Sequence, residues 1–403
     1  MPKISHFECS RNPDHVVAST EAYSTVCPQC AGALYVRYDE AEFNRARKPG
    51  ADAEPTMWRY RDVLPAAEPV SLGEGWTPVH RDQHHANLWW KDEGANPTGS
   101  FKARGMSAAV TMAKHYGLPK LAAPSAGNAA GALAAYSAAA GIEAHLFMPQ
   151  DVPEANYVEC CAYGAHVTLV DGLISDCGKM VAARKEQEGW FDVSTLKEPF
   201  RVEGKKTMGY ELAEQFRWEL PDVVLYPTGG GVGLIGMWKA FEEMESLGWI
   251  EKGRRPRMVV IQASGCAPVV EAFNKGEQTA EMWKDAATAA SGLRVPKPYG
   301  DYILLQILRE SSGTAVAVSD EQMFASLTDW AGRGTLLSPE GAAATAAYDK
   351  LVDSGWIKPS DRTLIFNTGS GLKYVDVIAQ GLRVRRAPLR QGSANVGGII
   401  SPV

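Results

Sequence analysis

One lysine of this chain sits where covalent amine chemistry needs it, in the run Asn96-Pro97-Thr98-Gly99-Ser100-Phe101-Lys102-Ala103-Arg104-Gly105. Residues 96–99 are turn chemistry and Ser100 can cap a following helix, which places Lys102 in the first helical turn, just after a strand. A helix N-terminus disfavours an ammonium, so the pKa of Lys102 is expected to fall, as a Schiff-base lysine requires. Alone, a lysine so placed is usually a solvated surface residue. A second run, Tyr226-Pro227-Thr228-Gly229-Gly230-Gly231-Val232-Gly233, leads from a strand into an apolar helix. Its glycines let backbone N–H groups converge on an anion at a helix start, which describes a phosphate cradle. The Lys-Ser/Thr ending of a nucleoside-triphosphate loop is missing, which argues against triphosphate hydrolysis. Two further turns follow strands. Pro124-Ser125-Ala126-Gly127-Asn128 offers backbone amides and a side-chain amide, and Asn367-Thr368-Gly369-Ser370-Gly371-Leu372-Lys373 offers a hydroxyl from Thr368 or Ser370.

The surrounding pattern says how these turns are positioned. Strands are expected at 87–90, 120–123, 144–148, 166–170, 223–226, 258–262 and 363–366. Helical patterns over 102–116, 126–140, 154–163, 176–187, 206–218 and 233–247 lie between them. Such alternation implies parallel sheets covered on both faces. Residues 46–69, rich in Pro, Ala and charge, read as a linker. All four chemical segments then fall at strand C-terminal ends, where open α/β sheets bind ligands. Together they supply the parts that hold pyridoxal phosphate: an amine for its aldehyde, a dianion site, a hydrogen bond to the ring hydroxyl and a partner for the pyridine nitrogen.

The 403 residues carry 41 basic and 47 acidic side chains, a formal charge of −6, which leaves no basic field for nucleic acid or an anionic membrane. Hydrophobic residues make up 45% and charged residues 22%, which argues against a mostly disordered chain. The polar start lacks an apolar leader core, and the longest weakly polar stretch, 129–142, is too short to span a bilayer, so a cytoplasmic enzyme is expected. Seven cysteines are too few for a disulfide scaffold. Cys160, Cys161, Cys177 and Cys266 read as buried reduced thiols. Cys27-Pro28-Gln29-Cys30 runs into a strand-like stretch, as a zinc-ribbon knuckle does. Cys9 is placed to join it, Asn12 stands where a second paired cysteine would fall, and His15 or His6 could supply a fourth ligand. The segment therefore reads either as a structural zinc site on Cys9, His15, Cys27 and Cys30 or as a ribbon that folds without metal.

Over about 71–373 the chain resembles the fold-type II pyridoxal-phosphate enzymes, and within them the threonine synthases. Gly73-Glu74-Gly75-Trp76-Thr77-Pro78 resembles the segment that opens the family's catalytic region, and the lysine, amide, glycine and hydroxyl turns resemble its cofactor motifs. The resemblance implies an α/β fold of two open, mostly parallel sheets with the cofactor cleft between them, plus a small N-terminal zinc-ribbon-like appendage. It divides the chain into 1–45 (ribbon), 46–94 with 206–382 (large cofactor-binding domain), 95–205 (small domain) and 383–403 (flexible tail). It implies Lys102 as the Schiff-base lysine, Asn128 on the cofactor's ring oxygen, and Gly229, Gly230, Gly231, Val232 and Gly233 on its phosphate. Thr368 would face the pyridine nitrogen, and Ser125, Ala126 and Gly127 the substrate carboxylate.

The implied reaction takes O-phosphohomoserine and water to threonine and phosphate, in a cytoplasmic homodimer with a small-molecule substrate and neither nucleic acid nor membrane as partner. Arg201 and Lys205, with Lys206 and Arg104, are candidates for the substrate's phosphate, although a solvated basic helix start is the plainer reading of each. Several positions depart from the threonine synthase pattern: Ala103, Ala126, Ser370 and the triple glycine, which is closer to serine/threonine dehydratases. A dehydratase is therefore the alternative. A cofactor-binding regulator without catalysis is a further one, and the intact Lys102 argues against it.

Overall fold

The computed structural model describes residues 1–18, 25–125 and 127–384. Near the N-terminus β1 (Ile4–Cys9), β2 (Val16–Ala18) and β3 (Leu34–Tyr38) form an antiparallel sheet in the order β2-β1-β3. The chain then lays down β4 (Val79–Arg81) and β5 (Leu88–Asp92) and leaves to build β6 (Lys120–Pro124), β7 (Glu143–Pro149), β8 (His166–Val170) and β9 (Phe191–Asp192). It returns with β10 (Val223–Pro227), β11 (Arg257–Ala263), β12 (Thr314–Val318) and β13 (Thr363–Asn367). The larger sheet has the order β12-β11-β10-β13-β5-β4, parallel except at the β4–β5 edge. The smaller, β8-β7-β6-β9, is parallel throughout. Two mostly parallel sheets and a small ribbon are the architecture the sequence implies.

Strands buried on both faces explain the continuous apolar runs. Along β10, Val224 and Tyr226 join one core with helices Phe200–Gln215 and Val232–Ser246, while Val223 and Leu225 join another with helices Asp320–Gly332 and Pro339–Asp353. In β6, Leu121 and Ala123 pack with helices Lys102–His115 and Asn128–Ala140, and Ala122 packs on the opposite face with Cys177 and Val181. The helices near Lys102 approach closely through glycine. A Cβ on Gly204 would lie 2.1 Å from the Arg104 carbonyl oxygen, and one on Gly209 would lie 2.8 Å from Ala240 Cβ. Arg104, fully buried, bonds Glu93 and Glu211 at 2.7 Å each, and Lys91 reaches Glu211 at 2.7 Å. This ion cluster ties the Lys102 helix to the end of β5 and to helix Phe200–Gln215.

Several expectations are revised. Residues 46–69 are not a linker: Met57, Trp58, Tyr60 and Val63 are buried, Trp58 Nε1 donates to Glu74 Oε1 at 2.9 Å, and Arg59 pairs with Glu214 at 2.7 Å. The aromatic side chains give that stretch enough apolar surface to hold it on the body. The helix expected from 206 begins at Phe200, because Glu203 is neutralised by Lys206 and Lys239 and the charged run becomes a buried helical turn. Cys161 is exposed, unlike the other three thiols expected to be buried, because it lies on the outer face of helix Glu154–Ala162. Most of the expected tail, residues 385–403, lies outside the described residues. Among the described residues no helix is long and apolar enough to cross a membrane.

Candidate active site

A cavity of about 510 Å³ lies at the C-terminal ends of β6, β10 and β13, lined among others by Lys102, Ser125, Asn128, Gly230 and Thr368. The lysine, glycine, amide and hydroxyl turns, far apart in sequence, meet there. Lys102 opens helix Lys102–His115, and its N–H donates to Ser100 Oγ at 3.3 Å. Its turn is pinned to the hydroxyl loop by the Phe101 N–H, which donates to the Thr368 carbonyl at 3.0 Å. Burial pulls the Lys102 pKa down to about 7, helped by the positive charge of Arg201 and opposed by Glu340. A substantial neutral fraction at neutral pH suits a nucleophilic amine.

Gly229, Gly230, Gly231, Val232 and Gly233 line the wall where β10 turns into helix Val232–Ser246. Gly231 has φ 81°, a left-handed conformation that favours glycine. A Cβ on Gly229 would stand 2.2 Å from the Gly292 carbonyl oxygen, and one on Gly233 would stand 1.9 Å from Tyr226 Oη. These glycines let the turn pack against Gly292 and Tyr226 at a helix start, where backbone N–H groups can receive an anion. Asn128 Nδ2 donates to Tyr374 Oη at 2.8 Å, and Tyr374 Oη donates to Glu340 Oε1 at 3.1 Å. The Asn128 Oδ1 atom is buried without a hydrogen-bond partner, as befits a side chain awaiting a ligand. The glycine turn, the unpartnered amide oxygen and the low-pKa amine fit pyridoxal phosphate.

Ser125 Oγ accepts from the N–H groups of Gly127 at 3.1 Å and Ala130 at 3.0 Å, which shapes the turn entering helix Asn128–Ala140. Ser125 and Gly127 line the cavity, and Ala126 lies outside the described residues. Arg201 and Lys205 stand behind the cavity wall, buried in the first turns of helix Phe200–Gln215. Arg201 donates through Nη1 to the Val193 carbonyl at 2.8 Å, while its buried Nε and Nη2 have no partner. Burial lowers its pKa to about 10 despite Glu198 and Asp192. Lys205 donates to the Phe101 carbonyl and is held well below an ordinary lysine by burial and by Lys102. Lys206 and Arg104 are committed to buried carboxylates.

Sequence reasoning missed Glu340, Tyr374, Thr195 and Tyr299, all of which line the cavity. The run Ser338-Pro339-Glu340 does signal a helix start, with Ser338 Oγ accepting from Gly341 N at 3.1 Å. No local signal marks Tyr299.

The cysteine cluster lies next door. One donor atom each from Cys9, His15, Cys27 and Cys30 falls within 4.8 Å of the others, with Cys9 Sγ 3.4 Å from Cys30 Sγ and Cys27 Sγ 3.6 Å from His15 Nδ1. His6 faces Ser5 instead. Burial pushes the Cys27 thiol up, but the N–H groups of Cys30 and Gln29 bring it down to about 7. This thiol and imidazole set is compatible with a metal. Tyr299, on the cavity wall, donates its hydroxyl to the Ala31 carbonyl beside the knuckle, and Tyr302 Oη lies 2.6 Å from Ser10 Oγ.

Comparison with known proteins agrees with this geometry. A family profile described as pyridoxal-phosphate dependent enzyme matches residues 70–369. The chain is 33% identical over 375 residues to a threonine synthase of Methanocaldococcus jannaschii, covering 90% of this chain and 91% of that one. It is 34% identical over 356 residues to a threonine synthase of Methanosarcina acetivorans, covering 86% and 87%. Among solved structures, a fungal L-serine ammonia-lyase from Rhizomucor miehei superposes with TM-score 0.65 at 19% identity, covering 78% of this chain and 99% of that chain, a likeness of fold.

Proposed function

Because the chain belongs to the pyridoxal-phosphate-dependent enzymes, on their threonine synthase branch, we propose that it converts O-phosphohomoserine and water to threonine and phosphate. The bound cofactor supplies the electron sink for carbanion chemistry at the substrate's carbons. Gly229, Gly230, Gly231, Val232 and Gly233, which line the cavity, would hold its phosphate, Asn128 would orient its ring, and Thr368 would offer the pyridine nitrogen a neutral hydroxyl, which suits elimination and replacement. Lys102 would hold the cofactor through its aldehyde, and its pKa of about 7 lets Nζ both accept and release a proton near neutrality. Ser125, Gly127 and the intervening Ala126 are assigned to the substrate carboxylate.

One observation carries the substrate reading: Arg201 is buried beside Lys102 with two guanidinium nitrogens unpartnered. A buried guanidinium with free donors is unfavourable unless an anion completes it. Arg201, which stands behind the cavity wall rather than on its lining, is therefore proposed for the phosphate that leaves, reached by turning its unpartnered guanidinium edge into the cavity, with Lys205 behind it. A second reading, a serine or threonine dehydratase, is favoured by the triple glycine Gly229-Gly230-Gly231. Assay of the purified holoenzyme on O-phosphohomoserine, serine and threonine in parallel separates the two. Phosphate and threonine from the first substrate, lost in Arg201→Met, support the synthase; ammonia and an oxo acid from threonine support the dehydratase and overturn the first reading.

The proposal extends to one structural zinc on Cys9, His15, Cys27 and Cys30, and to a cytoplasmic homodimer on the family pattern. Metal analysis after chelator-free purification tests the zinc. Less than about one-tenth equivalent would overturn it. Light scattering tests the dimer, and a monomer at assay concentration would overturn that part.

A further inference from the structure

A second group of metal-ligating side chains lies on the smaller sheet, away from both sites described above. His145 of β7 and His166 of β8 are directly opposed across the parallel pair, and their rings stack with centroids 4.8 Å apart at 15°. Both Nε2 atoms turn toward one carboxylate oxygen: Glu143 Oε1 lies 2.5 Å from His145 and 3.8 Å from His166. One donor atom from each of the three residues falls within 4.8 Å of the others. Metal–ligand bonds of about 2.0–2.2 Å span donors at such separations with small side-chain rotations.

We propose that Glu143, His145 and His166 form a binding site for a divalent transition ion of the zinc class, with a fourth position open to water. Two imidazoles and a carboxylate select a borderline ion over magnesium or calcium, which want oxygen ligands. The ligands are set on strand backbone, and His145 is further held by the Trp190 ring, 4.7 Å away, so binding orders little that is not already ordered. Lys120, opposite Glu143 across the β6–β7 pair, is the cation that faces the group and weakens binding. The site lies at the strand N-terminal ends, opposite the cavity, and would fasten the edge strand β8 to β7.

Calorimetric titration of Zn²⁺ into the full-length protein tests this, with wild type compared to His166→Ala and Lys120→Met. His166 is exposed on an edge strand, so its removal should leave the fold intact, which equal melting of the metal-free proteins would verify. The wild type should bind one more equivalent than His166→Ala, whatever the cysteine cluster holds. Lys120→Met should tighten that extra equivalent several-fold. Equal stoichiometry and affinity in wild type and His166→Ala would overturn the site.

Discussion

Replacing Lys102 by methionine should make the cofactor-free protein more stable at neutral pH. Burial takes the Lys102 pKa from 10.5 to about 7, with Arg201 adding to the effect and Glu340 opposing it. Between those values the unfolded chain keeps a proton that the folded chain releases, so stability rises with pH across the window. Below about 7 the full cost of holding an ammonium in the cavity is present. At about 1.4 kcal/mol per pH unit the drop is worth about 5 kcal/mol, and solvent in the open cavity reduces this to about 2 kcal/mol. Methionine keeps an unbranched apolar stem and removes the charge. Urea unfolding of both apo proteins at about pH 6.5 and about pH 10 reads the difference. Lys102→Met should gain about 2 kcal/mol at the lower pH and much less at the higher one. A gap that is the same at both, or a variant less stable at the lower pH, would refute the reasoning.

Gly229→Ala places a Cβ 2.2 Å from the Gly292 carbonyl oxygen and should weaken pyridoxal-phosphate binding at least about tenfold by equilibrium dialysis. Gly230→Ala, whose Cβ would stand 3.0 Å from a Thr195 methyl, should lose less, and equal affinity in all three proteins would mean the glycines serve only the turn. Arg104→Met leaves Glu93 and Glu211 buried without their guanidinium and should cost about 3–5 kcal/mol in chemical denaturation, so a loss under about 1 kcal/mol would contradict the ion cluster's role. Tyr299→Phe removes the hydroxyl that reaches the Ala31 carbonyl and should raise substrate KM about fivefold with kcat retained, while an unchanged KM would show that the knuckle does not set the cavity wall.

What could be read from sequence was whatever local chemistry encodes. The turn before Lys102 and the glycines after β10 announce themselves through turn residues and a switch of periodicity, and the structure brings them into one cavity. Glu340 and Tyr374 escaped because they act through Asn128 and Gly292, contacts separated by long stretches of chain. Arg201 reads from sequence as a solvated cation at a helix start and is instead buried in the first turn of a helix, a difference made by the carboxylates and helices packed around it. Residues 46–69 carry the Pro and Ala of a linker, but the buried Trp58 and Tyr60 hold them on the body. In the ribbon, Asn12 stands where a cysteine was sought, yet its carbonyl accepts from the His15 N–H at 3.0 Å and the turn it makes brings His15 to the cluster.

Borohydride reduction of the cofactor-loaded protein, followed by peptide mapping, asks directly which lysine holds the cofactor. The proposed function predicts a pyridoxyl adduct on Lys102, and none on Lys179, Lys197 or Lys297, which also line the cavity, nor in a folded Lys102→Ala variant. An adduct on Lys205 behind the cavity wall, or on Lys373 at the end of the hydroxyl loop, would contradict it.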